Sequence, residues 1–293
     1  MALGPDDLVL CSGTLAREAS FRERVDAAVA GGFSALSLWG RDYGSARREG
    51  LDDADIRALL ADHGLAVAEL DLAWWWLPGA SEVHIPAALD TEELFAYDEA
   101  QLFAIAEAVG ARSLNAIDVF GGDWTVDGAA AAFAGLCDRA AEHGLLVHIE
   151  FLPWSRIPNV AAAWEVVRRA DRPNGGVLVD AWHYFRSGAD AAALRAVPGD
   201  RVLGLQLDDG PAAPEADLPT ASLHDRVLPG AGELDLRGLV QTISEIGAVA
   251  PIGVEVFSDE LHALAPAEVG RRAGAALRGL LQSPGSDSPR RGG

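Results

Sequence analysis

Eight short runs rich in aliphatic and β-branched residues recur along the chain, with stretches of helical spacing between them. The runs are Leu8 to Cys11, Ala35 to Leu38, Val67 to Leu70, Ser113 to Ala116, Leu146 to Glu150, Gly176 to Asp180, Val202 to Leu207 and Ile252 to Glu255. Helical spacing covers Phe21 to Ala30, Asp55 to His63, Leu94 to Val109, Ala129 to His143, Val160 to Ala170, Leu236 to Ile246 and Pro266 to Leu281. Strand then helix, repeated, predicts a parallel sheet. Eight repeats predict its closure into an α/β fold, the (β/α)8 TIM barrel, with an open doubly wound sheet as the alternative. A dinucleotide-binding open sheet needs a glycine fingerprint after its first strand, and Cys11-Ser12-Gly13-Thr14 does not match it.

Glycine marks the helix ends: Gly31-Gly32, Gly64, Gly110, Gly144 and Gly247 stand where a left-handed cap is expected. His63 and His143, each just before such a glycine, read as partners of the negative helix end rather than as ligands. The 293 residues would allow roughly two domains of about 150 residues, but barrels of about 250 residues fold as one. We expect one catalytic domain over 1–282 and a disordered tail over 283–293, where Ser, Pro, Gly and Arg leave little apolar surface to bury.

The chain has no lysine, so all 23 basic residues are arginines, against 44 acids, for a net charge of −21. A Schiff-base aldolase, a pyridoxal phosphate enzyme and a P-loop phosphate binder each need a lysine amine, and all three are excluded. The acidity also argues against nucleic acid, because a phosphate backbone needs a basic face. Arginine clusters at Arg47-Arg48, Arg168-Arg169, Arg271-Arg272 and Arg290-Arg291 read as solvated helix faces. Cys11 and Cys137 read as buried free thiols. No basic segment followed by an apolar run opens the chain and no apolar stretch reaches about 18 residues, so neither signal peptide nor membrane span is predicted. The expectation is a cytoplasmic protein with a small-molecule substrate and no membrane partner; a homo-oligomer is compatible with the sequence.

In a barrel of this kind chemistry sits where strands end. The ends of the last four runs offer Glu150, Asp180, Gln206 and Glu255. Neighbouring strands are about 4.8 Å apart, so inward side chains from four of them converge. Three carboxylates cannot all stay ionised there without a cation. With Gln206 adding an amide oxygen, the set is all oxygen and calls for a hard divalent ion, Mn2+ or Mg2+, with Co2+ tolerated. The alternative for Gln206 is a polar residue hydrogen-bonded at the rim.

These residues resemble the xylose isomerase-like barrel superfamily, which includes sugar phosphate isomerases and epimerases, ketohexose 3-epimerases, inosose dehydratase and 3-dehydroshikimate dehydratase. The resemblance runs over about the whole chain in βα order and is most specific from Glu150 to Glu255. It implies metal ligands at Glu150, Asp180, position 206 and Glu255. The family's Asp-x-x-His element appears as Asp180 to His183, and its arginine followed by Pro-Gly-x-Gly as Arg226 to Gly232. Gln206 stands where many members carry histidine, a change associated with dehydroshikimate-dehydratase-like members. The superfamily's endonucleases need a histidine-rich trinuclear zinc site, for which the seven histidines here are too few.

The resulting expectation is an isomerase or epimerase acting on a hydroxy ketone, sugar-like or a cyclic polyol, through a metal-stabilised enolate. Glu150 and Glu255 are the candidate bases on opposite faces. His183, with a pKa expected near the working pH, is the candidate acid, or else a residue that only orients its neighbours. A metal-dependent dehydratase of the 3-dehydroshikimate or inosose type, or a C–O or C–C bond lyase on a glycoside or natural-product ring, is the second reading, and a non-catalytic ligand-binding barrel the third. Arg226 is the candidate substrate fork, with a solvent-exposed loop arginine as the plainer alternative. Asp208 is expected on the substrate side of the mouth, orienting His183, Arg226 or a metal-bound water, and His148 to sit a layer below Glu150. Aromatic residues crowd the same mouth: Trp39, Trp74 to Trp76, Phe151, Trp154, Trp182, Tyr184 and Phe257. Among these, Trp39, Trp74 and Trp182 are candidates for stacking on a substrate ring.

Overall fold

The computed structural model describes residues 3–80, 94–119 and 121–282. Eight strands, β1 (Leu8–Leu10), β2 (Ala35–Trp39), β3 (Ala66–Ala73), β4 (Ala111–Ile117), β5 (Leu146–Glu150), β6 (Gly175–Asp180), β7 (Val202–Leu207) and β8 (Ile252–Val254), close into one barrel in chain order. Every neighbouring pair is parallel, and β8 returns to β1 with Leu10 opposite Val254. The open sheet is thereby ruled out.

The outer layer holds α1 (Phe21–Gly31), α2 (Gly40–Arg48), α3 (Asp53–Asp62), α4 (Glu99–Val109), α5 (Val126–Glu142) and α6 (Val160–Ala170). It continues with α7 (Ala181–Arg186), α8 (Ala191–Arg195), α9 (Leu218–His224), α10 (Leu236–Glu245), α11 (Asp259–His262) and α12 (Pro266–Gln282). Helix α4 starts at Glu99 rather than Leu94, because the Asp98 carboxylate accepts the Gln101 N–H at 2.9 Å and the Gln101 side chain returns the bond to the Asp98 N–H. Helix α5 starts three residues earlier than expected, where Thr125 caps the Gly128 N–H. The short α2, α7, α8, α9 and α11 carry too few turns for a periodic signal and escaped the sequence. Gly32 and Gly110 end α1 and α4 at φ +68°, a backbone that resists other residues. His63 Nδ1 meets the Leu59 carbonyl at 2.9 Å as a cap partner, whereas His143 bonds Glu107 and stacks on Phe103. The tail over 283–293, with Arg290 and Arg291, lies outside the described residues.

Strand residues alternate between two surroundings. Leu70, Leu114, Ile149, Val179 and Leu207 face the helices and join the main apolar core, each contributing about 1.5–3 kcal/mol by burial. The other set faces the lumen and is unusually polar from β3 to β7: Glu69 and Asp71, Ser113 and Asn115, His148 and Glu150, then Gln206, all buried. Such a lumen is ordinarily filled by branched apolar side chains. Here it is a hydrogen-bonded floor beneath the mouth. Cys11 and Cys137 are buried and unpaired, as expected. The clusters of arginine on α6 and α12 pair with Glu165 and Glu268 at exposed positions, as solvated faces should. No helix of the described residues is long and apolar enough to cross a membrane.

Candidate functional site

Glu150 and Asp180 end β5 and β6, Gln206 is the penultimate residue of β7, and Glu255 follows β8 directly. β6 runs straight into α7, so Asp180 is also a helix cap, its Oδ1 accepting the His183 N–H at 2.8 Å. The three-residue spacing of Asp180 and His183 is the spacing of such a cap, and it returns His183 to the same mouth. Glu150, Asp180 and His183 bring one donor atom each within 4.8 Å of one another. Glu255 stands outside that grouping but lines the same cavity as Glu150 and His183. Gln206 lies in register with Asp180, and its Nε2 donates to Glu69 Oε1 at 2.7 Å across the lumen.

Arg226 ties these parts together from a buried position. Its Nη1 donates to Asp180 Oδ2 at 2.7 Å and Asp208 Oδ2 at 2.5 Å, its Nη2 to Ser222 Oγ at 2.8 Å and His183 Nε2 at 3.2 Å, and its Nε to the Ser222 carbonyl. All five N–H groups of the fork are directed at protein. Arg226 touches the cavity, but its donors organise Asp180, Asp208 and His183 rather than stand open for a substrate. Neither the exposed-loop reading nor the open-fork reading describes it. Of the three partners expected for Asp208, the structure shows Arg226.

The electrostatics follow from one cation among several buried acids. Burial, then the charge of Asp180, pushes Glu150 up to about 8. Burial with Glu150 and Asp71 nearby pushes Glu255 well above the usual carboxylate range. For Asp180 burial also works upward, but the Arg226 guanidinium and the His183 contacts outweigh it and hold the group below its ordinary value. His183 departs from its expectation: burial, reinforced by Arg226, presses its pKa down to about 3 against the pull of Asp180. The imidazole is neutral at the working pH and carries no spare proton to give as a cationic acid.

The cavity holds about 320 Å³ and is walled by Trp39, Leu72, Phe95, Ile117, Leu152, Trp154 and Phe257, with Leu223 and Pro219 from α9 on one side. Trp39 is a wall residue, stacked under the Arg41 guanidinium at 4.0 Å. Trp74 packs edge-on to Phe95 behind the wall. Trp182 is sealed between Arg186 and Arg226, at 5.1 and 5.3 Å from its ring, and does not reach the cavity. Trp154 lines the cavity instead, its ring edge-on to His183 with centroids 5.4 Å apart.

Two wall residues were not anticipated. Asn115 Nδ2 donates to both Glu150 Oε2 at 2.7 Å and Asp71 Oδ1 at 2.9 Å, and Asp71 is pushed by burial up to about 7. The available signal was a pair of acids two residues apart, Glu69 and Asp71, inside an apolar strand. That spacing puts both on the lumen side.

A divalent cation fits this donor set. Glu150, Asp180 and His183 offer a cation one ligand atom each within 4.8 Å of one another, and Gln206 Oε1, on the strand position in register with Asp180, is buried with no hydrogen-bond partner, while the Gln206 side chain lines a separate small cavity with Cys11 and Glu69.

The sequence profile of the xylose isomerase-like TIM barrel family matches residues 25–280. 3-Dehydroshikimate dehydratase of Pseudomonas putida is 28% identical over 276 residues, 92% of this chain and 40% of that protein. The chain thus spans about two fifths of the length of that relative. Inosose isomerase of Bacillus subtilis is 29% identical over 137 residues, 45% of this chain and 48% of that protein. Among solved structures, the IOLI protein with a bound zinc atom superposes with a TM-score of 0.79 at 18% identity, covering 94% of this chain and 98% of that one. With a closed eight-stranded barrel and a profile match across most of its length, the chain belongs to the xylose isomerase-like TIM barrel family.

Proposed function

We propose that the protein is a divalent-metal-dependent isomerase or epimerase of a hydroxy ketone. The observation that carries this reading is the pair Glu150 and Glu255: two buried carboxyls, both held above the usual range, lining one cavity. Two carboxyls that face one cavity, both raised by burial, suit removal of a proton from one face of a substrate and its return on the other. Glu150, Asp180, Gln206 and Glu255 are the proposed ligands, and Mn2+ or Mg2+ the proposed ion, with Co2+ tolerated. The ion would supply positive charge beside a substrate carbonyl oxygen, acidifying the neighbouring C–H.

The side chains divide the remaining work. Glu255 takes the proton, and Glu150, braced by Asn115, serves the opposite face. His183 accepts from Arg226 at Nε2, which leaves its proton on Nδ1. That Nδ1 is buried without a protein partner, and we assign it to a substrate hydroxyl. The wall of Trp39, Trp154 and Phe257 suits the face of a ring. Because every donor of Arg226 is engaged within the protein, the described wall favours an uncharged ring, such as a sugar-like or cyclic polyol ketone, over a carboxylate.

Dehydration is the second reading, favoured by the likeness to a 3-dehydroshikimate dehydratase over 92% of this chain. There the same proton loss is followed by departure of a β-hydroxyl as water. Incubating the Mn2+-loaded protein with inososes, ketohexoses and 3-dehydroshikimate in deuterium oxide separates the two. The isomerase reading predicts deuterium on the carbon beside the carbonyl in recovered material, and the dehydratase reading predicts a conjugated ultraviolet chromophore. Protein that holds metal yet neither exchanges nor eliminates in any of these classes contradicts both.

A further inference from the structure

We propose that Glu69 is a positioning residue, which takes the Gln206 amide N–H across the barrel lumen and so turns the amide oxygen toward the divalent cation. The inference rests on the metal reading above and adds to it a residue from the opposite side of the barrel. β3 and β7 lie four strands apart in the closed sheet, so the 2.7 Å bond from Gln206 Nε2 to Glu69 Oε1 spans the lumen rather than joining neighbours.

The two ends of a glutamine amide have the same shape, and only hydrogen bonding decides which end faces a metal. Glu69 is set as an acceptor by a chain that begins at the backbone. Ser113 Oγ donates its one proton to the Ala68 carbonyl at 2.9 Å, so it can only accept from His148 Nε2, 3.1 Å away. That places the imidazole proton on Nε2, whose N–H edge also faces Glu69 Oε2 at 3.5 Å. With one carboxylate oxygen beside His148 N–H, the other receives the Gln206 N–H, and Gln206 Oε1 is left buried with no protein partner. Gly253 packs against both residues: a Cβ there would press on Cys11 Sγ at 2.8 Å and would stand in ordinary contact with Gln206 Cγ at 3.5 Å. None of Ser113, His148, Glu69 and Gln206 lines the substrate cavity; Glu69 and Gln206 line a small separate one with Cys11 and Arg112. Their arrangement serves the ligand set, as partners that orient metal-binding groups commonly do.

The test is Mn2+ affinity, measured by titration calorimetry and by the electron paramagnetic resonance signal of unbound Mn2+, in four full-length proteins: parent, Glu69→Gln, Gln206→Ala and the double variant. Glu69→Gln keeps the shape but can present either amide end to Gln206. We expect its affinity to fall about 10-fold or more, with the same substitution causing less than about a 2-fold change when Gln206 is already alanine, since coupled residues are non-additive. An unchanged affinity in Glu69→Gln, or an equal loss in both backgrounds, overturns the inference while leaving the metal site standing. A parent protein that binds no Mn2+ overturns the metal reading itself. Should Glu69→Gln fail to fold, Ser113→Ala removes the acceptor that orients His148. It is expected to weaken Mn2+ binding in the parent and not in Gln206→Ala, and an equal effect in the two overturns the inference.

Discussion

Glu255 and Arg226 show how differently two buried charged residues of one mouth are used. Arg226 spends all its donors on Asp180, Asp208, His183 and Ser222, whereas Glu255 opens onto the cavity with Glu150. Replacing Glu255 with glutamine keeps a ligand oxygen but removes the base. Proton exchange by that variant is expected to fall about 10²-fold or more, read by mass spectrometry of substrate recovered from deuterium oxide. A variant that exchanges at the parent rate shows that another group is the base. Glu150, Asp180, Gln206 and Glu255 stood out in the sequence because each lies at or next to the end of a strand-like run, and the structure brings Glu150 and Asp180 together with His183. Asp71 and Asn115 did not, because their partners, Asn115 for one and Glu150 for the other, lie 44 and 35 residues away. The neutrality of His183 was equally out of reach, since it depends on burial that only the closed barrel creates.

At the scale of elements, the connection from β7 to α10 is held by one carboxylate. Asp209 accepts N–H groups from Gly210, Gly230 and Leu234 at 2.9 to 3.0 Å, pinning the Pro-Gly-x-Gly turn that follows Arg226. The Gly232 position leaves no room for a side chain, because a Cβ would lie 2.4 Å from Asp209 Oδ1. Asp209→Ala strands three N–H groups and loosens the segment that carries Arg226. A loss of about 2–4 kcal/mol is expected, at about 1 kcal/mol for each bond with some relaxation, measured by urea unfolding; a loss below about 0.5 kcal/mol would show that Asp209 does not hold the turn. The long elements were readable from spacing because each buries a full stripe. The short α7 and α9 were not, although α7 presents His183 and α9 walls the cavity, because their positions are set by contacts at the mouth rather than by their own periodicity.

For the molecule as a whole, the buried acids couple stability to pH and to metal. A carboxyl whose folded pKa is raised stabilises the fold at pH below its unfolded value, and that contribution is lost as pH rises through the folded value. Glu150 loses it progressively from its ordinary value of 4.5 up to about 8, so the last part of the loss falls above pH 7, and Glu255, raised well above its ordinary value, shifts the balance the same way. His148 and His183, both held near 3 by burial, act in the other direction but only below their unfolded value near 6.5. The protein kept in chelator is therefore expected to lose thermal stability from pH 7 to 9, and Mn2+ to remove that loss by neutralising the same carboxylates. A melting temperature that stays level or rises over this range in chelator contradicts the assignment. The most direct measurement is anomalous diffraction at the manganese edge from crystals grown with Mn2+. The account predicts one peak at the C-terminal mouth, within coordination distance of Glu150, Asp180, Gln206 and Glu255. A mouth without a peak, or a peak held by other side chains, contradicts it.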